Sequence, residues 1–126
     1  MTIAIGIGCK RNCSVDEIIE LIHTALEKAD IVISEVDIMA TAWVKEGAEN
    51  VQNAAEAMDL PLIFVPKKEC DKIANLAQTI SQKVVELYSI PSVAEVSALA
   101  VTGNNPKLIL PRINSNNATC AIAVGK

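Results

Sequence analysis

Thr2-Ile-Ala-Ile-Gly-Ile-Gly-Cys-Lys-Arg-Asn-Cys-Ser14 decides the fold. Ile3, Ile5 and Ile7 are β-branched, and Ala4 and Gly6 between them are small. A run with no polar face predicts a central strand covered on both sides. Gly8 allows a sharp exit from that strand. Ser14-Val-Asp-Glu17 is an S-x-x-E capping box, so a helix should begin at Ser14. Strand, loop and helix N-terminus together can form an anion site: free backbone N–H groups point outward, and Lys10 and Arg11 add cations. A plain strand-to-helix turn with solvated basic residues fits the same stretch.

Working outward, the periodicity alternates strand and helix. The first strand is Thr2 to Gly8, and the first helix runs Val15 to Ala29 with a stripe of Ile18, Ile22, Ala25 and Leu26. A second strand follows at Val36 to Ala40, and a second helix at Ala48 to Met58, stopped by Asp59-Leu60-Pro61. Leu62 to Val65 is a short buried strand. Lys67 to Ile90 is helical by pattern, with a break near Asn75, because one helix of that length would overhang so small a domain. Ser92-Val-Ala-Glu95 is another capping box, opening a helix to about Val101. Strands at Lys107 to Arg112 and Ala118 to Val124, joined by a polar turn, should form an antiparallel hairpin. The expected fold is a three-layer α/β/α domain over residues 1–126, its mostly parallel five-stranded sheet closed by that hairpin.

Composition narrows the function. The 126 residues suffice for one domain with a real core. Trp43, Phe64 and Tyr88 are the only aromatics, which argues against base stacking, and the net charge of −4 argues against a nucleic-acid or anionic-membrane surface. No apolar run is long enough for a membrane span and no signal peptide is visible, so a cytoplasmic location with reduced thiols is expected. Cys9 and Cys13 are spaced C-x3-C, unlike a zinc site, so no metal is expected; no cofactor is implied either. Gly6-Ile-Gly8 begins a dinucleotide fingerprint, but Arg11 stands where its third Gly belongs, and no Walker A loop follows any strand.

Position matters more than composition. In open α/β sheets ligands bind outside the carboxyl ends of the strands. Lys10 and Arg11 follow the first strand, Lys45 the second and Lys67 the third, and Arg112 ends the fourth. Parallel strands would gather these five of the eleven basic residues at one sheet edge. That predicts an anionic small ligand with several carboxylates or phosphates. The competing reading is that loops are polar anyway and collect cations by chance.

Five pieces of sequence carry a resemblance. Gly6-Ile-Gly-Cys-Lys-Arg-Asn-Cys-Ser14 is similar to the G-x-G-C-[RK]-R-G-x-S signature of the CobE/CbiG C-terminal family of cobalamin biosynthesis. Ala40-Thr41 with Lys45 resembles its A-T-x-x-x-K, Leu60-Pro-Leu62 its GLPL segment, and Ser92 to Leu99 its S-V-A-E-x-x-A-L helix. Pro111 to Thr119 resembles its P-K-x-x-S-G-G-A-T turn. The departures are Asn12 for Gly, Asn116-Asn117 for Gly-Gly, Arg112 for Lys, and Trp43-Val44 for Ile-Asp, which removes a carboxylate beside Lys45. Asn tolerates left-handed backbone, so the turns can survive.

The resemblance implies a role in building the corrin ring, with a tetrapyrrole-derived, carboxylate-fringed macrocycle as ligand and other cobalamin-pathway enzymes as partners. In one reading the chain binds such an intermediate. Gly8, Cys9, Lys10 and Arg11, then Asn12, Cys13 and Ser14, would hold carboxylates with Lys45 and Arg112. Residue by residue, the matching motifs add Thr41, Ser115, Asn116, Asn117 and Thr119 to the expected ligand site. Ile7, Trp43 or Val44 would lie against the apolar macrocycle face. In a second reading the chain assists a hydrolase that opens a lactone on a cobalt-precorrin and releases acetaldehyde. Cys9, Cys13 or Ser14 would then be the nucleophile. That reading lacks a general base, since His23 is badly placed and the rim loops show no evident carboxylate. A third reading is a structural subunit of another pathway enzyme.

Overall fold

The computed structural model describes residues 1–126. Its sheet has the order β3-β2-β1-β5-β4, built from β1 (Thr2–Cys9), β2 (Ile38–Ala42), β3 (Leu62–Val65), β4 (Lys107–Asn114) and β5 (Ala118–Gly125). β1 pairs in parallel with β2, and β2 with β3. β5 lies antiparallel between β1 and β4, so β4 points the same way as β1. Four strands therefore share one direction, and β5 alone runs against them. The sheet is mixed, with its two antiparallel ladders around β5.

The opening strand is covered on both faces, as its sequence requires. Ile3, Ile5 and Ile7 join a core with Ile18, Leu21 and Ile22 of α1 (Val15–Ala29) and Val51 and Ala54 of α2 (Glu49–Ala57). On the other face lies α5 (Val93–Ala100), nearly all of it buried. The small residues of β1 let it approach. A Cβ on Gly6 would collide with the Ala94 carbonyl oxygen and lie 2.9 Å from the Ala98 Cβ. Gly8 is likewise a close-approach position: a Cβ there would lie 2.7 Å from the Thr119 hydroxyl and 3.2 Å from the Val93 Cβ. It ends no strand: β1 runs on through Cys9 because its whole length pairs with β5.

One strand is shifted from expectation and one expected break is wider than its pattern suggests. β2 starts and ends two residues later than its composition suggests, because Asp37 caps the start of β1 instead. The Asp37 N–H donates to Ile3 O at 2.9 Å, and its carboxylate accepts from Ile3 N at 2.9 Å. The stretch from Lys67 to Ile90 breaks around Asn75 as expected, into two short helices, α3 (Lys67–Ile73) and α4 (Gln82–Tyr88), but the gap is wider than a kink, a 3-10 turn at Ala74–Leu76 followed by an extended stretch. The cause is Glu95. Its buried carboxylate accepts from Gln78 N (2.8 Å), Thr79 N (2.8 Å) and the Thr79 hydroxyl (2.7 Å). Those N–H groups would otherwise bond within a helix. A carboxylate buried this deeply must be satisfied by several donors, so tertiary demand overrides local propensity.

Candidate ligand-binding cleft

The carboxyl ends of β1, β2 and β4 converge with the start of β5 on one edge of the sheet. A cleft of about 490 Å³ opens there. Lys10 and Arg11 enter it from the loop after β1, and Lys45 from the 3-10 turn after β2. Arg112 comes from β4 and Lys83 from α4. These five cations line the cleft and no carboxylate does. None of them forms an ion pair; the chain's two salt bridges are Lys67–Asp71 and Lys72–Glu69. Val44, Val84, Leu87, Tyr88 and Val93 add apolar surface. A neighbouring open cleft of about 760 Å³ shares Arg11, Val44, Lys45 and Tyr88 with the first.

Four polar braces hold the walls. Lys10 N donates to Asn117 O at 2.8 Å, joining the β1 loop to the hairpin turn. Ser14 caps α1 by accepting from Glu17 N at 3.1 Å, but the Glu17 side chain does not reach back to complete the capping box. It turns to the hairpin, accepting from the Ser115 hydroxyl, from Asn117 N at 2.8 Å and from Asn117 Nδ2 at 2.9 Å. The Ser115 hydrogen bond, followed by those of Asn117, holds the Glu17 carboxyl below its ordinary value. Asn50 of α2 donates to the carbonyls of Cys13 (3.0 Å), Lys10 and Arg11 (both 3.5 Å), fixing the loop from below. Glu95, besides binding residues 78 and 79, accepts from Arg112 N at 2.9 Å and so anchors the β4 side.

Ten of the residues expected at the site line this cleft: Gly8, Cys9, Lys10, Arg11 and Lys45, with Arg112, Ser115, Asn116, Asn117 and Thr119. Cys13 and Ser14 line the neighbouring cleft. The others sit elsewhere. Asn12 is exposed and lines neither. Thr41 is fully buried, its hydroxyl donating to Ile7 O at 2.6 Å. Lys67 leaves the rim to pair with Asp71 at 3.0 Å, lying 5.8 Å from the centre of the Trp43 ring. Of the apolar candidates only Val44 faces the cleft. Ile7 is core, and Trp43 packs edge-on against Tyr88 at 6.2 Å. The loop amides are partly engaged, since Lys10 N and Cys13 N already bond to carbonyls.

Sequence reasoning missed Ser81, which caps α4, and Lys83, Val84, Leu87 and Tyr88 of α4 itself, because α4 follows no strand. It also missed two carboxylates at the rim: Glu46 and Glu49 line the neighbouring cleft. The thiols are poor nucleophiles. Burial pushes Cys9 up, and burial followed by the Glu17 charge pushes Cys13 up to about 11. His23 is exposed on α1, away from both clefts.

The chain belongs to the cobalamin synthesis G C-terminus family, whose profile matches residues 3–123, and the family places it in cobalamin biosynthesis. Among individual relatives, Protein CobE of a Sinorhizobium species is 26% identical over 121 residues, spanning 96% of this chain and 79% of that protein. The crystal structure of a CobE superposes with a TM-score of 0.91 over 97% of this chain and 89% of that one, at 23% identity. The cobalamin biosynthesis protein chiG of Agrobacterium tumefaciens gives 0.78 at 27% identity, covering 99% of both chains. A cobalamin biosynthesis protein G homolog of Sulfolobus solfataricus gives 0.77 at 31% identity; all of this chain matches 37% of that one. No helix here is long and apolar enough to cross a membrane.

Proposed function

We propose that this chain binds a carboxylate-rich corrinoid or precorrin intermediate in the cleft at the strand carboxyl ends. One observation carries the reading: five unpaired cations and no carboxylate line a single cleft in a protein of net charge −4. Arg11 and Arg112 offer planar forks to carboxylates, and Lys10, Lys45 and Lys83 offer mobile point charges. The cleft volume falls within the roughly 300–1,000 Å³ of small-molecule sites. A spectroscopic titration with cobyrinic acid tests it. Saturable binding that weakens in Lys45→Ala and Arg112→Ala, with both variants folded, is the expected result. Equal affinity in wild type and both variants would sink the reading.

Glu46 and Glu49 favour a second reading, in which the chain assists lactone opening. One carboxylate would take a proton from the attacking water while Lys45 polarises the lactone carbonyl. The raised thiol pKa values set the cysteines aside as nucleophiles. Acetaldehyde release from a lactone-bearing cobalt-precorrin, lost in Glu46→Gln or Glu49→Gln, would establish hydrolysis. Binding without release would leave a carrier.

A further inference from the structure

α4 is the only α-helix that buries none of its residues. Val84, Leu87 and Tyr88 recur at i, i+3 and i+4, so they form one stripe, and all three line the cationic cleft. Val84 and Tyr88 also pack against a smaller buried cluster that includes Ile90, Val93 and Val96, which holds the stripe at the cleft margin. Leu87 at its centre remains 59% exposed, and Ile80, just before the helix, 68% exposed. An apolar helix face usually meets a core; this one meets a cleft lined by Lys10, Arg11, Lys45 and Arg112.

The two chemistries constrain the occupant jointly. A small polycarboxylate would pair the cations and leave the stripe wet. A wholly apolar ligand would cover the stripe and strip water from unpaired cations, at a large desolvation cost. Only a ligand with an extended apolar face and an anionic fringe satisfies both. We propose that the α4 stripe is a specificity surface for the face of the macrocycle, with Leu87 as its central contact, while the cations hold its carboxylates. This rests on the binding reading above. It adds that ring and fringe are recognised by different side chains, and that the apolar stripe of α4 discriminates a macrocycle from other polyanions.

Titrations of the intact chain with cobyrinic acid and with citrate, followed by quenching of the single tryptophan and by calorimetry, separate the two recognition modes. Leu87 is exposed, so Leu87→Ser should fold as wild type. It should weaken cobyrinic acid roughly tenfold, the scale of losing a couple of buried methylenes, and leave citrate unchanged. Leu87→Met should restore cobyrinic acid binding, whereas Arg112→Ala should weaken both ligands. The inference is overturned if Leu87→Ser binds cobyrinic acid within twofold of wild type, or loses citrate and cobyrinic acid in parallel. Failure of wild type to bind cobyrinic acid would instead remove the ligand class itself.

Discussion

Glu17 shows how one side chain shapes the cleft. It sits in the first turn of α1, yet its carboxylate organises the turn between β4 and β5, across the mouth of the site. Because the Ser115 and Asn117 hydrogen bonds lower its folded pKa below 4.5, its stabilisation is fully present above that unfolded value and is lost as pH falls through the folded one. The difference in denaturant midpoint between wild type and Glu17→Gln should therefore be present near neutral pH and shrink progressively on acidification below 4.5. A constant difference down to strongly acid pH would show that the charge plays no part. Gly6 and Gly8 supply a contrast. Gly6→Ala forces a methyl onto a backbone carbonyl of α5, which cannot swing away, so a loss of about 1–3 kcal/mol or more is expected in denaturation. Gly8→Ala meets a Thr119 hydroxyl that can rotate, so its loss should be smaller. At this scale the cations were legible in the sequence, since a Lys or Arg just after a strand needs only the strand's direction to be placed. Thr41 was not: a threonine in the same position reads alike whether it faces a ligand or donates to Ile7.

Among the elements, α5 is the hub through Glu95. This one carboxylate holds the stretch leading into α4 and the backbone of Arg112, so it sets both side walls of the cleft. Four donors bond to it, and two of them are the backbone N–H groups of Gln78 and Thr79 that a continuous helix would have used otherwise. Glu95→Gln places an amide N–H₂ among those donors and leaves some unsatisfied inside the protein. Hydrogen bonds to charged groups contribute about 1.5–3 kcal/mol each, so a loss of roughly 3 kcal/mol is expected in chemical denaturation. Cobyrinic acid affinity should fall as well, although Glu95 touches no ligand, because Arg112 and α4 would lose their common anchor. A stability loss with unchanged affinity would show that the walls are held independently. Helix α1 and strands β1 and β3 were legible because their periodicity agrees with their environment. In the stretch from Lys67 to Ile90 a break near Asn75 was legible from length alone, but its width and cause were not, because the helical pattern is genuine and is overruled by a carboxylate seventeen residues away in sequence from Gln78. A capping-box glutamate reads as a local device; nothing in the sequence marks it as a distant acceptor.

Across the whole molecule, charge is sorted rather than merely negative. Five of the eleven basic residues line the cleft, leaving six outside it with all fifteen acidic ones. Strand direction does the sorting. Inserting β5 antiparallel between β1 and β4 returns β4 to the direction of β1, so Arg112 arrives at the same edge as Lys10, Arg11 and Lys45. The sequence pattern implied that common edge through a mostly parallel sheet, and the hairpin achieves it with one reversed strand. It could not place Lys83, whose helix lines the cleft from outside the strand-loop pattern, or remove Lys67, drawn away by Asp71. Such sorting has a measurable consequence. Cations held in an open cleft act on a polyanion through solvent, and the screening length falls from about 8 Å at 0.15 M salt to about 3 Å at 1 M. Affinity for cobyrinic acid should drop steeply over that range, by roughly tenfold or more. The double variant Lys45→Ala, Arg112→Ala should flatten the slope. Lys28→Ala, on the far part of α1 and outside both clefts, should leave slope and affinity as in wild type. If Lys28→Ala flattened the slope as much as the double variant, the attraction would belong to overall net charge and not to the cleft. If affinity were flat in salt for wild type, the cations would not be what holds the ligand, and the apolar surface of α4 would have to account for binding alone.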